Sequence, residues 1–418
     1  MRLTDSKGAV PPPRTLQVTL RKITETLAQE LASPTRIAPD WSEFEWIVAR
    51  AVAAMHGASP LLSRALHWRG PAGWTEFLEE QRAHTAKRHA RIDRVLQRID
   101  QCAREAGIAA VALKGAALHA MGLYVVGDRP MADIDLLVRP ADAGSTARML
   151  ESLGYREAGK SWKERVFEPV DDRASDDLGE HCDNNVKIEL HERICERLPW
   201  RITDASELIF PAQPHPGLNA YSSKASLMIH LLLHAAGSMT TKALRLLHLN
   251  DIALLSSHMT ESDWDEVLAY GSRGSRGSRG SRLWWAFPPL KLASRYYSSR
   301  IPNRVLTALA AECSYLLEKV ANHRTLYDVS YSYLWVDAFP GIEWSQSVRE
   351  MAGYVASRVR PSEEHVVERQ HLAKVHLWAK QDQWARLSQR RRILKWVTSR
   401  PTRSLTMHAV AAALARAQ

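Results

Sequence analysis

The segment Ala132-Asp133-Ile134-Asp135-Leu136-Leu137-Val138 reads as a buried β-strand with two carboxylates inside it. Along a strand, residues i and i+2 project to the same face, so Asp133 and Asp135 stand side by side on one surface of a sheet. Two carboxylates placed that way repel each other and are costly to desolvate unless something positive lies between them. A chain with such a strand must fold so that a cation meets one face of the sheet while the other face packs a core.

The surrounding pattern shows where that sheet would be. Residues 1–13 end in Pro11-Pro12-Pro13 and read as a disordered or extended tail. From 14 to 106 apolar residues recur at helical spacing, and Gly107 follows in the position of a helix C-cap. Residues 107–200 change texture. The apolar run "IAAVAL" ends at Lys114-Gly115, the acidic strand follows, "ADAGSTARMLESLG" is a compact helix stopped by Gly154, and "SWKERVFEPV" and "NVKIELHERI" alternate as strands around a polar loop. Beyond Trp200 the pattern predicts helix throughout 201–270, with a Ser cap before "KASLMIHLLLHAAG" and a capping box from Ser262 to Asp265. Gly271 to Arg282 is a four-fold Gly-Ser-Arg repeat that cannot bury a core and reads as a linker; a small Arg/Gly phosphate-binding tail is its other reading. Residues 283–418 are helical again, broken near Pro340 and Pro361. The predicted class is α+β: a small mixed-sheet core between an N-terminal and a C-terminal helical region, within the length of two or three domains.

Composition narrows the chemistry less. With 56 Lys and Arg against 46 Asp and Glu, the net charge of +10 favours anionic partners without choosing among them, and part of the excess is local to the repeat and to Arg390-Arg391-Arg392. Four dispersed cysteines with no CxxC spacing suggest neither a zinc cluster nor a disulfide framework, and fit reduced thiols. The first residues carry no apolar signal region, and no later window offers about twenty uncharged apolar residues. The expectation is a soluble, cytoplasmic protein with no membrane partner.

Divalent metal chemistry accounts for the acidic strand. Asp133 and Asp135 can each offer an oxygen to Mg²⁺ or Mn²⁺, hard cations that accept substrate phosphates as the rest of their shell. Two-metal transfer needs a third carboxylate from a neighbouring strand, and Glu189 in "VKIELHE" shares its face with Lys187 and His191. Together "LKGAAL", "RPMADIDLLV", "IELHERI", "HLLLHAAG" and "RLLHLNDIALL" resemble the uncharacterised nucleotidyltransferase family within the DNA polymerase beta-like superfamily, over roughly residues 40 to 270. The resemblance implies transfer of a nucleoside monophosphate from a nucleoside triphosphate to an acceptor, which could be a small molecule, a protein or peptide side chain, or RNA. It implies catalytic, metal-binding roles for Asp133, Asp135 and Glu189, with Lys114 and Gly115 where the superfamily's small-residue turn approaches the triphosphate. A lysine in place of the first small residue departs from the superfamily's usual pattern and is chemically apt beside phosphate. Arg129 would reach the same phosphates.

Each residue also has a structural reading. Acids on a wet strand face need no metal, Lys114 can be a strand-end surface lysine, and Arg129 has Asp128 beside it as a ready partner. His230 and His234 have the i, i+4 spacing of metal ligands, but no glutamate or third ligand accompanies them, so hydrogen-bonded histidines are the reading. With His191, Arg245 and Asp251 they would line the wall of the site, as the resemblance suggests. Trp264, Trp284 and Trp285 fall at helical spacing and read as core, and "RLSQRRRILKW" reads as a solvated helix face, with a surface for RNA or an anionic partner as its other reading. Two other functions use similar motifs. A non-catalytic module could keep the fold and sense a nucleotide or anion. A DxD glycosyltransferase would need an α/β nucleotide-binding region before the motif, where this chain has helices.

Overall fold

The computed structural model describes residues 11–171, 178–272, 282–361 and 387–417. Residues 1–10 of the predicted tail, 172–177 of the polar loop and 273–281 of the repeat lie outside the described residues. The class is α+β, as the pattern predicts.

Four helices come first: α1 (Pro13–Ala32), α2 (Glu43–Met55), α3 (Ser59–Ala65) and α4 (Ala72–Glu105). Helix α1 begins on Pro13, where a missing N–H costs nothing. A reciprocal Ser42–Glu45 capping box starts α2, and Gly107, at φ +69°, turns the chain out of α4. No strand precedes Ala109 among the described residues, so the region that a glycosyltransferase would need before its acidic motif is helical.

The sheet is built from β1 (Ala109–Ala112), β2 (Asp133–Val138), β3 (Tyr155–Lys160), β4 (Glu164–Pro169), β5 (Lys187–His191) and β8 (Gly217–Asn219), in the order β3-β4-β5-β2-β1-β8. Strand β2 runs parallel to β5 and antiparallel to β1, and β8 runs parallel to β1, so the sheet is mixed. A separate hairpin joins β6 (Cys195–Leu198) and β7 (Arg201–Asp204). Strands β7 and β8 correct the expectation of helix alone after Trp200. Three residues such as Gly217-Leu218-Asn219 carry no alternation to read, and they become a strand because β1 offers a free edge.

The alternation of β2 and β5 separates two environments. Ile134, Leu136, Val138, Ile188 and Leu190 pack into a core with Ile92 and Ile99 of α4 and with Leu150 of α6 (Ala143–Ser152). The opposite face carries Asp133, Asp135, Lys187, Glu189 and His191. Over it lie α5 (Lys114–Ala120), α7 (Lys224–Thr240) and α8 (Leu246–Ser256).

The remaining α-helices among the described residues are α9 (Glu261–Ser272), α10 (Phe287–Tyr296), α11 (Asn303–Glu312), α12 (Tyr315–His323), α13 (Val348–Val359), α14 (Gln389–Thr398) and α15 (Ser404–Arg416), and residues 362–386 of the predicted C-terminal helical region lie outside the described residues. One continuous apolar cluster runs from Leu16 of α1 through α7, α8 and α10 to Val410 and Ala413 of α15. Trp264, Trp284 and Trp285 are buried in it, as read from their spacing. The cap of α9 differs from the sequence reading. Thr260 and Asp263 make the reciprocal bonds, while Asp265 pairs with Arg304 at 2.8 Å. Both pairs have capping-box spacing, and Arg304, distant in sequence, takes the second acid.

Candidate active site

The site begins with strand register. Parallel pairing of β2 with β5 sets Asp133 opposite Lys187 and Asp135 opposite Glu189. The segments that enter these two strands are held by one side chain. Arg88 of α4 donates to the carbonyls of Met131 and Ala132 before β2, and to those of Asn184 and Asn185 before β5, at 2.6 to 2.9 Å. Nothing in the charged helical run around Arg88 marks it in the sequence, because its acceptors are backbone atoms.

The two aspartates find different environments. Asp135 is buried, and its Oδ1 accepts from Lys114 Nζ at 2.8 Å and lies 3.1 Å from His191 Nε2. Burial alone would raise the Asp135 pKa, but Lys114 and His191 outweigh it and hold the carboxyl well below its usual range. Asp133 accepts no hydrogen bond from a described residue. Burial and the neighbouring Asp135 push its pKa up. Glu189 likewise accepts none, and burial followed by Asp133, Asp135 and Glu164 raises it well above the carboxylate range. A buried lysine normally loses its proton more easily, yet Asp135, Glu189 and Asp133 keep Lys114 charged. One ammonium thus offsets part of the charge of three carboxylates.

Lys114 is also unusual in its backbone. At φ +46° it occupies the left-handed region, a modest strain for a side chain that is not glycine. Its N–H donates to Tyr221 Oη at 3.2 Å, and that hydroxyl lies 2.7 Å from His230 Nδ1. Burial, followed by Lys114 and His234, lowers the His230 pKa well below the ordinary value, which leaves its ring neutral. His234 and His248 are neutral for the same first reason and stand with ring centroids 4.8 Å apart. Of the two histidines read as hydrogen-bonded, only His230 makes such a bond among the described residues; His234 Nδ1 is buried without a hydrogen-bond partner there, 3.6 Å from Glu196 Oε1.

Arg129 departs from its expected role. Its guanidinium is buried and grips Asp251 through two bonds, Nε to Oδ1 at 2.9 Å and Nη2 to Oδ2 at 2.7 Å. Asp128 is no partner of it and pairs instead with Arg64 and with Arg82, the latter at 3.1 Å. Gly115 serves this pair: a Cβ there would stand 2.2 Å from Arg129 Nη1. Arg245 and Arg129 line the same cavity, but Arg245 makes no ion pair with a described residue and rests over the Tyr331 ring at 5.1 Å.

The cavity has a volume of about 250 Å³. Asp133, Asp135, Glu189, Lys114, Arg245 and His234 all reach it. His191 does not line it and supports Asp135 from beneath, with Nδ1 buried and unbonded. Ligand atoms of Asp135, Glu189 and His191 lie within 4.8 Å of one another, a grouping that could hold a cation; Asp133 stands outside this trio on the same strand face. Two acids escaped the sequence reading. Glu164 lies 3.9 Å from His191 Nδ1 across the β4–β5 pair, and Glu180 sits 3.6 Å from Arg88 Nε. Both are on segments whose place beside the site depends on the sheet order, so only an odd density of acids could have marked them.

No helix of the described residues is long and apolar enough to cross a membrane. No curated protein and no solved structure matches the chain. A family profile described as an uncharacterised nucleotidyltransferase matches residues 42–275, which takes in the long helix α4, the whole sheet and the helices that cover its acidic face. With more than half of its length matched, and the acidic strands inside the match, the chain belongs to the uncharacterised nucleotidyltransferase family.

Proposed function

We propose that the protein transfers a nucleoside monophosphate from a nucleoside triphosphate to an acceptor, with pyrophosphate leaving. The observation that carries this reading is the register that aligns Asp135 with Glu189 under a cavity also lined by Asp133 and by Arg245. The donor set suits Mg²⁺ or Mn²⁺: all-oxygen carboxylates, two of which accept no hydrogen bond from a described residue. Asp133, Asp135 and Glu189 would hold the ions, which when bound supply charge neutralisation at the phosphates. Arg245, which makes no ion pair with a described residue, binds the triphosphate; Arg129 shapes the wall through Asp251. Lys114, which bonds Asp135 at 2.8 Å, would contact a phosphate oxygen of the triphosphate. Glu189, ionised only with positive charge bound beside it, would take the proton of the acceptor.

Transfer of label from α-³²P-nucleoside triphosphates, one base at a time with Mg²⁺ or Mn²⁺, into a host-cell extract tests this. Label entering an RNA, a protein or a metabolite with the wild type, and not with Asp133→Asn/Asp135→Asn, supports the proposal and identifies the acceptor class. Metal-dependent triphosphate binding without any transfer supports instead a sensing module on the same fold.

A further inference from the structure

Away from the carboxylates, a second set of donors converges on the loop that leads into β5. A ring nitrogen each from His84 and His181 and the Cys182 thiol lie within 4.8 Å of one another, all on half-buried residues. His84 stands on α4, and His181 and Cys182 are neighbours in the loop between β4 and β5. The two imidazoles face each other with centroids 4.5 Å apart and planes inclined by 35°. Glu80 Oε1 stands 3.6 Å from His84 Nε2. The Nδ1 atoms of His84 and His181 accept the backbone N–H groups of Cys182 and Asp183 at 3.2 Å each, so both rings are held against the loop, and a metal at either Nδ1 would take the place of a backbone N–H.

We propose that His84, His181 and Cys182 form a zinc site that fastens the loop before β5 to α4, with water or Glu80 in the fourth position. One thiolate and two imidazoles make a borderline-soft set that suits Zn²⁺ and excludes the hard cations expected at the carboxylates. The Cys182 thiol gives its proton to solvent as the sulfur binds. The loop is otherwise held by polar bonds: Gln81 Nε2 donates to Glu180 O at 3.0 Å, Glu180 N donates to Gln81 Oε1 at 2.6 Å, and Arg91 donates to Cys182 O. A metal here ties the entry of the strand that carries Glu189 to the same helix that supplies Arg88. The spacing of the cysteines gave no sign of it, since His84 comes from a helix far back in the chain.

The test uses the full chain, with elemental analysis after dialysis and then titration of the stripped protein with Co²⁺. Stoichiometric zinc and a thiolate-to-cobalt charge-transfer band in the near ultraviolet are expected, both lost in Cys182→Ala and in His84→Ala/His181→Ala and both kept in Cys102→Ala and in Asp133→Asn/Asp135→Asn. Circular dichroism of each variant verifies that it is folded. No band with the wild type, a band that survives Cys182→Ala, or one that disappears with the aspartates would each overturn the assignment. This outcome is independent of nucleotidyl transfer, which the carboxylates alone would govern.

Discussion

Asp133 shows how a side chain can work against the fold that carries it. Its carboxylate accepts no hydrogen bond from a described residue, and burial and repulsion by the neighbouring Asp135 outweigh the attraction of Lys114 and Arg245. Asp133→Asn removes that repulsion. Thermal melting is expected to show an unchanged or higher midpoint, while transfer in the label assay falls by about a thousandfold, the usual cost of losing a group that acts on the transition state. Arg129 and Asp251 give the opposite case. Asp251→Ala strands a buried guanidinium and is expected to cost about 3 kcal/mol or more in urea unfolding, and Arg129→Met/Asp251→Leu to recover most of it. His56 sets a pH dependence away from the site. Its Nδ1 accepts from Leu246 N–H at 2.9 Å, and Nε2 lies 3.1 Å from Ser332 Oγ. Burial, then Arg245, lowers its pKa from 6.5 to about 3. The unfolded chain takes up a proton below 6.5 and the folded chain does not until about 3, so stability is complete above 6.5 and is lost as pH falls between those values. This residue contributes a slope of up to about 1.4 kcal/mol per pH unit. Urea midpoints at pH 7.5 and 5.5 should therefore differ more in the wild type than in His56→Gln.

At the scale of elements, alternation and caps were legible, and pairings were not. The faces of β2 and β5 follow from period two, because acidic and apolar residues alternate from Asp133 to Leu136 and polar and apolar ones from Lys187 to His191. Helix α4 and its end at Gly107 were equally plain. Strand β8 was not, since three residues hold no period, and the cap of α9 shifted from Ser262 to Thr260 because two pairs with the same spacing competed. The turn from β1 into α5 combines both kinds of information. Gly115 was read as room for a phosphate, and the structure gives that room to Arg129. Gly115→Ala is expected to push Arg129 off Asp251 and lower stability by about 1 to 3 kcal/mol, which a urea melt would measure; a variant with wild-type stability but a raised KM for the triphosphate would restore the phosphate reading.

Across the whole molecule, the two helical regions that flank the sheet in sequence share one apolar cluster. Helix α15 packs on α2, Thr24 Oγ1 donates to Ser332 Oγ at 2.8 Å, and Trp335 Nε1 donates to Gln17 Oε1 at 3.0 Å. Ending the chain at Arg403 would expose the partners of Val410 and Ala413. Calorimetry should then show the transition of the N-terminal helices moving down with the rest; an unmoved N-terminal transition would mean that the helical regions fold separately. The sequence by itself determined the α+β class, the acidic strand with its polar face, and the residue types that suit a hard cation, because these follow from local periodicity and from the chemistry of single side chains. Tertiary structure alone decided which cation meets which anion. Lys114 holds Asp135, Arg129 holds Asp251, Arg245 rests over the Tyr331 ring, and Arg88 aligns two strands through backbone carbonyls. Each of those partners is fixed by sheet order and helix packing, which bring together residues whose separation along the chain carries no signal.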